Sequence, residues 1–247
     1  MTRALTCSSA IGLVLFAASA HADVTPQEVW TSWQAMLTSA GQELTVGNTA
    51  DSGNTVDVTG LEVAYKDQMG GSASVTFDKL SFAANGDGTV TVTMPDSYPL
   101  QMTFPAEGDG PGSLKLTVNQ PGMKIVAGGS ATETSYDFTA PNVTVELDEI
   151  TDQGGEVLDT KGDLTLGGMS ARYLVAQDGD KTSLDSSFAA DSLLLNFSGA
   201  DTSGEDGGRG TIQMAFAEMT GAANGTFLGP GVMANMAEAL NAGFTRD

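Results

Sequence analysis

Apolar and polar residues alternate along most of the chain, from Leu44 to about Leu228. Clear runs are residues 89–94 (TVTVTM), 114–118 (LKLTV), 143–147 (VTVEL) and 212–216 (IQMAF). A period of two puts successive side chains on opposite faces of a strand, so one face packs on a core while the other faces water. Glycine-rich turns separate these runs. The pattern predicts a mainly β fold, with about eight or more strands in a long curved antiparallel meander sheet.

The hydrophobic period is helical before this region. Thr25 and Glu28 have the spacing of a capping box, which predicts a helix over residues 26 to about 40. Trp30 and Trp33, the only tryptophans of the chain, lie on or beside the apolar face of this helix. Such a stripe packs on a core or stacks on a ligand. We expect the helix to lie against the sheet or to close one end of it.

The period is helical again after Pro230. Gly41 and Gly243 are placed to end the N-terminal and the C-terminal helix in the left-handed conformation. The C-terminal segment is predicted to be an amphipathic helix whose apolar stripe comprises Val232, Met233, Met236, Ala237 and Leu240.

The first 22 residues are typical of a secretory signal. Arg3 supplies the positive charge and residues 10–18 supply the apolar run. Ala20 and Ala22 are the small residues that a signal peptidase reads, so cleavage is predicted before Asp23. The apolar run is too short to cross a bilayer, and no longer one follows it. We therefore expect a periplasmic protein that does not span the membrane.

The mature chain, residues 23–247, is expected to form a single domain with no histidine or cysteine. His21 and Cys7 are the only such residues, and both precede the predicted cleavage site. Their loss removes the usual general base, the thiol nucleophile and the commonest metal and haem ligands. We therefore predict a noncatalytic protein with no cofactor and no metal site; a weak calcium site at the acidic turns is the alternative that stays open.

The chain is strongly acidic, with 31 acidic and 10 basic residues and a formal net charge of −21. Nucleic acid is not expected as a partner because no basic patch is present to bind phosphates. A basic protein partner remains open, as does a simple role for the charge in solubility.

Several segments carry a resemblance to a known family: residues 23–25 (DVT), 29–33 (VWTSW), 86–95, 98–100, 135–141 and 233–244. Over essentially the whole mature chain, the sequence resembles the domain-of-unknown-function family numbered 2125, from Gram-negative envelopes. The resemblance implies an envelope location and no assigned activity, so it transfers no catalytic residue. It also implies that the chain is the amino-terminal half of a longer protein. The apolar face of the final helix would then be free to form a homodimer.

Two interpretations of the apolar strand faces remain open. The residues form either a groove that holds a lipid or another apolar ligand, or a dry core in which they contact only one another. The alternative function is an acidic interaction scaffold for a basic partner. The residues proposed for the ligand or core face are Trp30, Trp33, Val90, Val92, Met94, Leu116 and Val145.

Overall fold

A computed structural model describes residues 23–67, 70–105, 110–130, 132–178, 181–200 and 208–228. Within them lie one helix and eleven strands: α1 Pro26–Ser39, β1 Glu43–Asp51, β2 Thr55–Lys66, β3 Ser72–Ala84, β4 Val90–Thr93, β5 Ser97–Phe104, β6 Gly112–Asn119, β7 Lys124–Gly129, β8 Glu133–Thr151, β9 Thr160–Asp178, β10 Lys181–Ala200 and β11 Arg209–Leu228. The predicted mainly antiparallel β fold with an N-terminal helix is confirmed. The predicted C-terminal helix lies outside the described residues.

Helix α1 begins with the predicted capping box. The Thr25 side-chain oxygen accepts a hydrogen bond from the Glu28 backbone N–H at 3.2 Å. The Glu28 carboxylate accepts one from the Thr25 backbone N–H at 2.8 Å. Two N–H groups that the first turn leaves unpaired are thereby satisfied. After the helix, Gly41 has a φ of +78°, a backbone conformation that favours glycine.

All eleven strands form one antiparallel sheet. β4 and β5 lie end to end beside β3. β4 pairs with the last residues of β3, and β5 pairs with the first residues of β3. β6 and β7 are arranged similarly along β8. The fold is thus an up-and-down meander in which two of the long paths are interrupted near the middle. β1 lies at one edge of the described sheet and β11 at the other.

The interruptions align across the sheet in a feature that we call the break row. Pairing skips Gly60 of β2, which lies opposite Gly47 and Asp78, and it skips Gly168 of β9, which lies opposite Pro141. The row comprises Gly47, Gly60, Asp78, the 94–96 and 120–123 connections, Pro141, Gly168, Asp191 and Glu218. Every long path of the meander therefore has either a chain interruption or an irregular pair at the same level.

The break row shifts the alternation of buried positions by one residue. In β2, Val58 and Leu61 are both buried although they are three positions apart. An uninterrupted strand would place them on opposite faces. Between them Gly60 has a φ of +63°, and the corresponding Gly168 has a φ of +60°. A Cβ at Gly168 would come within 2.0 Å of the Asp191 carboxylate, so a substitution here requires Asp191 to move, and the positive φ favours glycine as well.

Helix α1 packs on the sheet, and the core cluster to which it belongs includes residues on both sides of the break row, such as Val58 and Leu61. We call the strand segments on the side of Val58, residues 55–59 of β2 and those level with them, the helix half. Trp30 and Trp33 place their rings 5.5 and 5.4 Å from the ring of Phe82, which is fully buried. The segments beyond the row, starting at Leu61, are called the open half. No helix in the described part of the chain is long and apolar enough to cross a membrane.

Candidate functional site

The predicted face residues fall on both sides of the break row. On the helix half, Trp30 is 2% exposed, and Val90 and Val92 of β4 are buried. Val92 lies between Phe82 of β3 and Ile125 of β7, which are themselves buried. These residues therefore belong to the buried core cluster.

Apart from Trp33 of helix α1, the other predicted face residues lie at or beyond the break row. Met94 is at the row and packs against the core, and Trp33 is half-buried beside Phe82. Leu116 of β6 and Val145 of β8 lie on the open half and are half-buried. The structure thus separates Leu116 and Val145 from the covered residues.

A continuous apolar layer covers one face of the open half. Val145 lies opposite Leu164 of β9. Leu164 lies opposite Leu195 of β10, and Leu195 lies opposite Met214 of β11. Directly opposite residues share a face of the sheet. We call this layer the open face, and in β8 to β11 it comprises Val143, Val145, Leu147, Leu164, Leu166, Leu193, Leu195, Phe197, Ile212, Met214 and Phe216.

The open face becomes more exposed towards β11. At the β2 and β3 end, Leu61 and Phe77 are buried. At the other end, Phe197 is 39% exposed, Met214 is 44% exposed and Phe216 is 51% exposed. Contiguous exposed apolar side chains commonly mark a binding surface. The part of the open face on β10 and β11 is therefore the strongest candidate for a functional site.

The opposite face of the same strand segments is largely polar. The Asn196 amide donates a hydrogen bond to Asp163 at 3.1 Å, and the Gln213 amide donates one to Asn196 at 3.3 Å. Thr144 and Thr165 lie 3.2 Å apart, oxygen to oxygen. Leu194 is an exception, since it is 43% exposed on this polar face. The two faces differ in chemistry, and apolar binding is possible on only one of them.

Gln120 connects two loops at the break row. It is the buried polar side chain among the described core residues, and its amide donates a hydrogen bond to the Pro95 carbonyl at 3.1 Å. Its backbone N–H donates to the Asp96 carbonyl at 2.7 Å. The Tyr98 hydroxyl lies 3.5 Å from the Gln120 side-chain oxygen, and burial raises the pKa of Tyr98. These bonds are structural, because they satisfy backbone groups left unpaired between β4 and β5.

Tyr136 of β8 connects the sheet to helix α1. Its hydroxyl donates to the Ser32 hydroxyl at 3.0 Å. Burial raises the pKa of Tyr136, and the hydrogen bond to Ser32 opposes this shift. The ionised form is thus disfavoured in the folded protein. The pKa of Tyr136 is therefore higher in the folded than in the unfolded protein. The contribution of Tyr136 to the free energy of unfolding is complete below the unfolded pKa of about 10 and is lost as the pH rises through the folded pKa.

We expect Tyr136→Phe to lower the free energy of unfolding by about 1 kcal/mol at neutral pH, because a partly buried hydrogen bond is lost. Above pH 10 the free energy of unfolding should fall less steeply with pH in the variant than in the wild type, because the variant lacks the tyrosine hydroxyl whose ionisation the fold disfavours. Urea unfolding at neutral and alkaline pH measures both effects. Tyr173→Phe, which changes an exposed tyrosine, is the control. Parallel pH curves for wild type and Tyr136→Phe would contradict the assignment.

Polar features also occur elsewhere on the described sheet. A shallow depression of about 210 Å³ includes Asp137 and Arg172, which form an ion pair at 3.4 Å. It is smaller than typical ligand pockets, which hold roughly 300–1,000 Å³. Asp57 of β2 has a lowered pKa because it accepts hydrogen bonds from Ser81 and Lys79, but it lies on the surface. Across residues 23–228, outside the undescribed gaps, no group of three metal-ligating side chains occurs.

Comparison with protein-family models, curated proteins and solved structures finds no match for this chain. Ala20 and Ala22 of the predicted cleavage site lie outside the described residues, and Asp23 is the first described residue. The Val24 backbone N–H donates to the Gly88 carbonyl at 3.2 Å, so the segment after the predicted cleavage site is attached to the sheet.

The sequence pattern does not place Leu164, Leu195 and Met214 in one surface. Alternation predicts a strand over residues 212–216 and no more. The missing information was the register that aligns these strands. One signal was available: in residues 56–63 the valine and leucine positions change phase, which indicates an irregularity at Gly60.

Proposed function

We propose that this protein is a noncatalytic periplasmic protein that holds an acyl chain or another apolar ligand on its open face. The observation that carries the proposal is the open face itself, which has no charged side chain in β8 to β11 and is most exposed on β10 and β11. A surface of this composition gains free energy whenever an apolar molecule displaces water from it.

The expected gain is large enough for specific binding. Complete burial of a Phe, Ile or Met side chain contributes about 1.5–3 kcal/mol. Phe197, Ile212, Met214 and Phe216 are each 39–54% exposed, so a ligand recovers roughly 1 kcal/mol from each. The flexible thioether of Met214 adapts to ligands of irregular shape. Hydrocarbon chains fit this surface because they need no hydrogen-bonding partner.

The helix half differs from the exposed part of the open face, and this difference supports the same proposal. Where α1 lies on the sheet, Phe82 and Val92 are buried, and the apolar face is saturated by protein. The described part of the chain provides no equivalent cover for Met214 and Phe216. One sheet thus combines a filled core that stabilises the fold with an apolar surface available for binding.

The location and the remaining fold elements belong to the proposal as well. The predicted signal in residues 1–22 and the resemblance to an envelope family support a periplasmic protein. We also propose that the sheet is curved and that the C-terminal segment forms an amphipathic helix, whose apolar stripe includes Val232, Met236 and Leu240. A homodimer through that helix remains part of this proposal.

The scaffold alternative has weaker support from the described residues. Several carboxylates of the polar face already have neighbouring partners: Asp148 accepts from Thr117 at 2.7 Å, and Asp163 accepts from Asn196 at 3.1 Å. Binding to a basic partner would weaken as the salt concentration rises, whereas binding of an apolar chain would not. Salt dependence therefore separates the two functions.

The proposal predicts that residues 23–247, exported to a periplasm and purified without detergent, carry a ligand. Native mass spectra should show extra mass that is absent after denaturation, and organic extraction should recover it as lipid. The extra mass should persist when the protein is washed at high ionic strength. A bare polypeptide mass, together with no uptake of added phospholipid, would refute the proposal and favour the scaffold.

A further inference from the structure

The two edges of the sheet differ strongly. β1 has 9 residues, whereas β11 has 20 and pairs only with β10 among the described strands. A strand at an edge presents a row of unpaired backbone N–H and C=O groups. β11 therefore offers a long template for pairing with another strand.

β1 has features that discourage pairing, and β11 has few of them. β1 is short, begins at Glu43, which lies 3.6 Å from Lys66, and ends at Asp51. In residues 209–217 of β11 the only charged side chain is Arg209, which is already paired with Asp159. Natural edge strands are usually protected by short length, charge or a bulge. Residues 209–217, which extend as far as the break row, are protected neither by short length, nor by an unpaired charge, nor by a bulge.

The side chains of this segment also favour association. Ile212, Met214 and Phe216 point to the open face beside the free edge, and each is 44–54% exposed. A strand paired alongside would bring its own side chains against them. The apolar layer continues to the edge of the described sheet instead of ending before it.

We propose that residues 209–217 pair in antiparallel fashion with the same residues of a second copy of this chain. The regular segment ends at Glu218, whose φ of +53° breaks the strand. Its midpoint is Gln213, where the two-fold axis passes. Pairing of identical edges gives a closed two-fold contact, in which residues 209–217 of both copies are paired and the two protected β1 strands lie at the far ends of the joined sheet.

The dimer joins the open faces of the two copies into one surface. Antiparallel pairing about this axis keeps equivalent faces on the same side and places Ile212 opposite Met214 of the second copy. Gln213 itself lies on the polar face next to Asn196, so a substitution at this position leaves the side chains of the open face unchanged. The pairing also differs from a dimer formed through the C-terminal helix.

Single cysteines locate the axis, because the mature chain after the predicted cleavage has no cysteine of its own. At the axis the two copies of residue 213 have Cα atoms about 4.5–5.5 Å apart. This is within the range of about 4.4–6.8 Å that a disulfide requires. Mild oxidation of Gln213→Cys should therefore give a covalent dimer. Thr211→Cys and Ala215→Cys should give much less, and Thr45→Cys on β1 should give none.

A charge at the axis tests the same contact without crosslinking. Gln213→Lys puts two ammonium groups opposite each other, which disfavours the pair. We expect the dimer dissociation constant from sedimentation to rise at least tenfold, whereas Thr45→Lys leaves it unchanged. Monomeric wild type at all accessible concentrations, or a dimer that Gln213→Lys does not weaken, would overturn the proposal. Equal crosslinking at residues 211, 213 and 215 would overturn it as well.

Discussion

Replacement of Leu193 by Glu is expected to reduce ligand binding by about 10-fold to 100-fold. Leu193 lies on the open face between Leu166 of β9 and Phe216 of β11. Leu193 is already half-buried, so the change removes an apolar contact of roughly 1 kcal/mol, and each 1.4 kcal/mol corresponds to about a tenfold change in affinity. A carboxylate at this position must also lose water when a hydrocarbon chain covers it. Titration with a fluorescent fatty acid measures the affinity.

The neighbouring residue provides a matched control. Leu194 lies on the polar face, opposite Thr165 and Ala215, and is 43% exposed. Leu194→Glu introduces the same chemical change one position along the same strand and should leave the affinity within about twofold of the wild type, since surface changes have small effects. Equal losses in both variants would show that the open face does not bind the ligand. Unfolding curves for both proteins establish that each is folded.

Replacement of Phe82 by Ala is expected to lower the free energy of unfolding by about 3–5 kcal/mol. Phe82 is fully buried and touches both tryptophans of α1. Removing its ring leaves a cavity between the helix and the sheet, and native stability is only about 5–15 kcal/mol in total. Tryptophan fluorescence during urea unfolding measures the loss, because Trp30 and Trp33 are the only tryptophans.

Two further variants keep this prediction testable. Phe82→Leu retains most of the buried volume and should cost less than about 1.5 kcal/mol, so it remains folded if Phe82→Ala does not. Phe104→Ala removes the same ring from a side chain that is 41% exposed, and it should cost about 1 kcal/mol or less. Similar losses at Phe82 and Phe104 would contradict the view that α1 and Phe82 form the stabilising core.

The difference between Val92 and Val145 shows what the sequence pattern cannot resolve. Both belong to runs of clean alternation, and both are predicted to face inward. Val92 lies in the region covered by α1, whereas Val145 lies beyond the break row on the open face. Alternation defines which residues share a face of one strand, but it contains no information on which strands or helices lie next to that face.

The sequence by itself determined the elements whose causes are local. The capping box of Thr25 and Glu28 specifies the start of α1, because its hydrogen bonds join residues three positions apart. Alternation predicts strands because period two is a property of the strand backbone. Only the tertiary structure decided the break row and the open face. These depend on the register that brings Gly60 opposite Asp78 and Leu195 opposite Met214, contacts between residues distant in sequence.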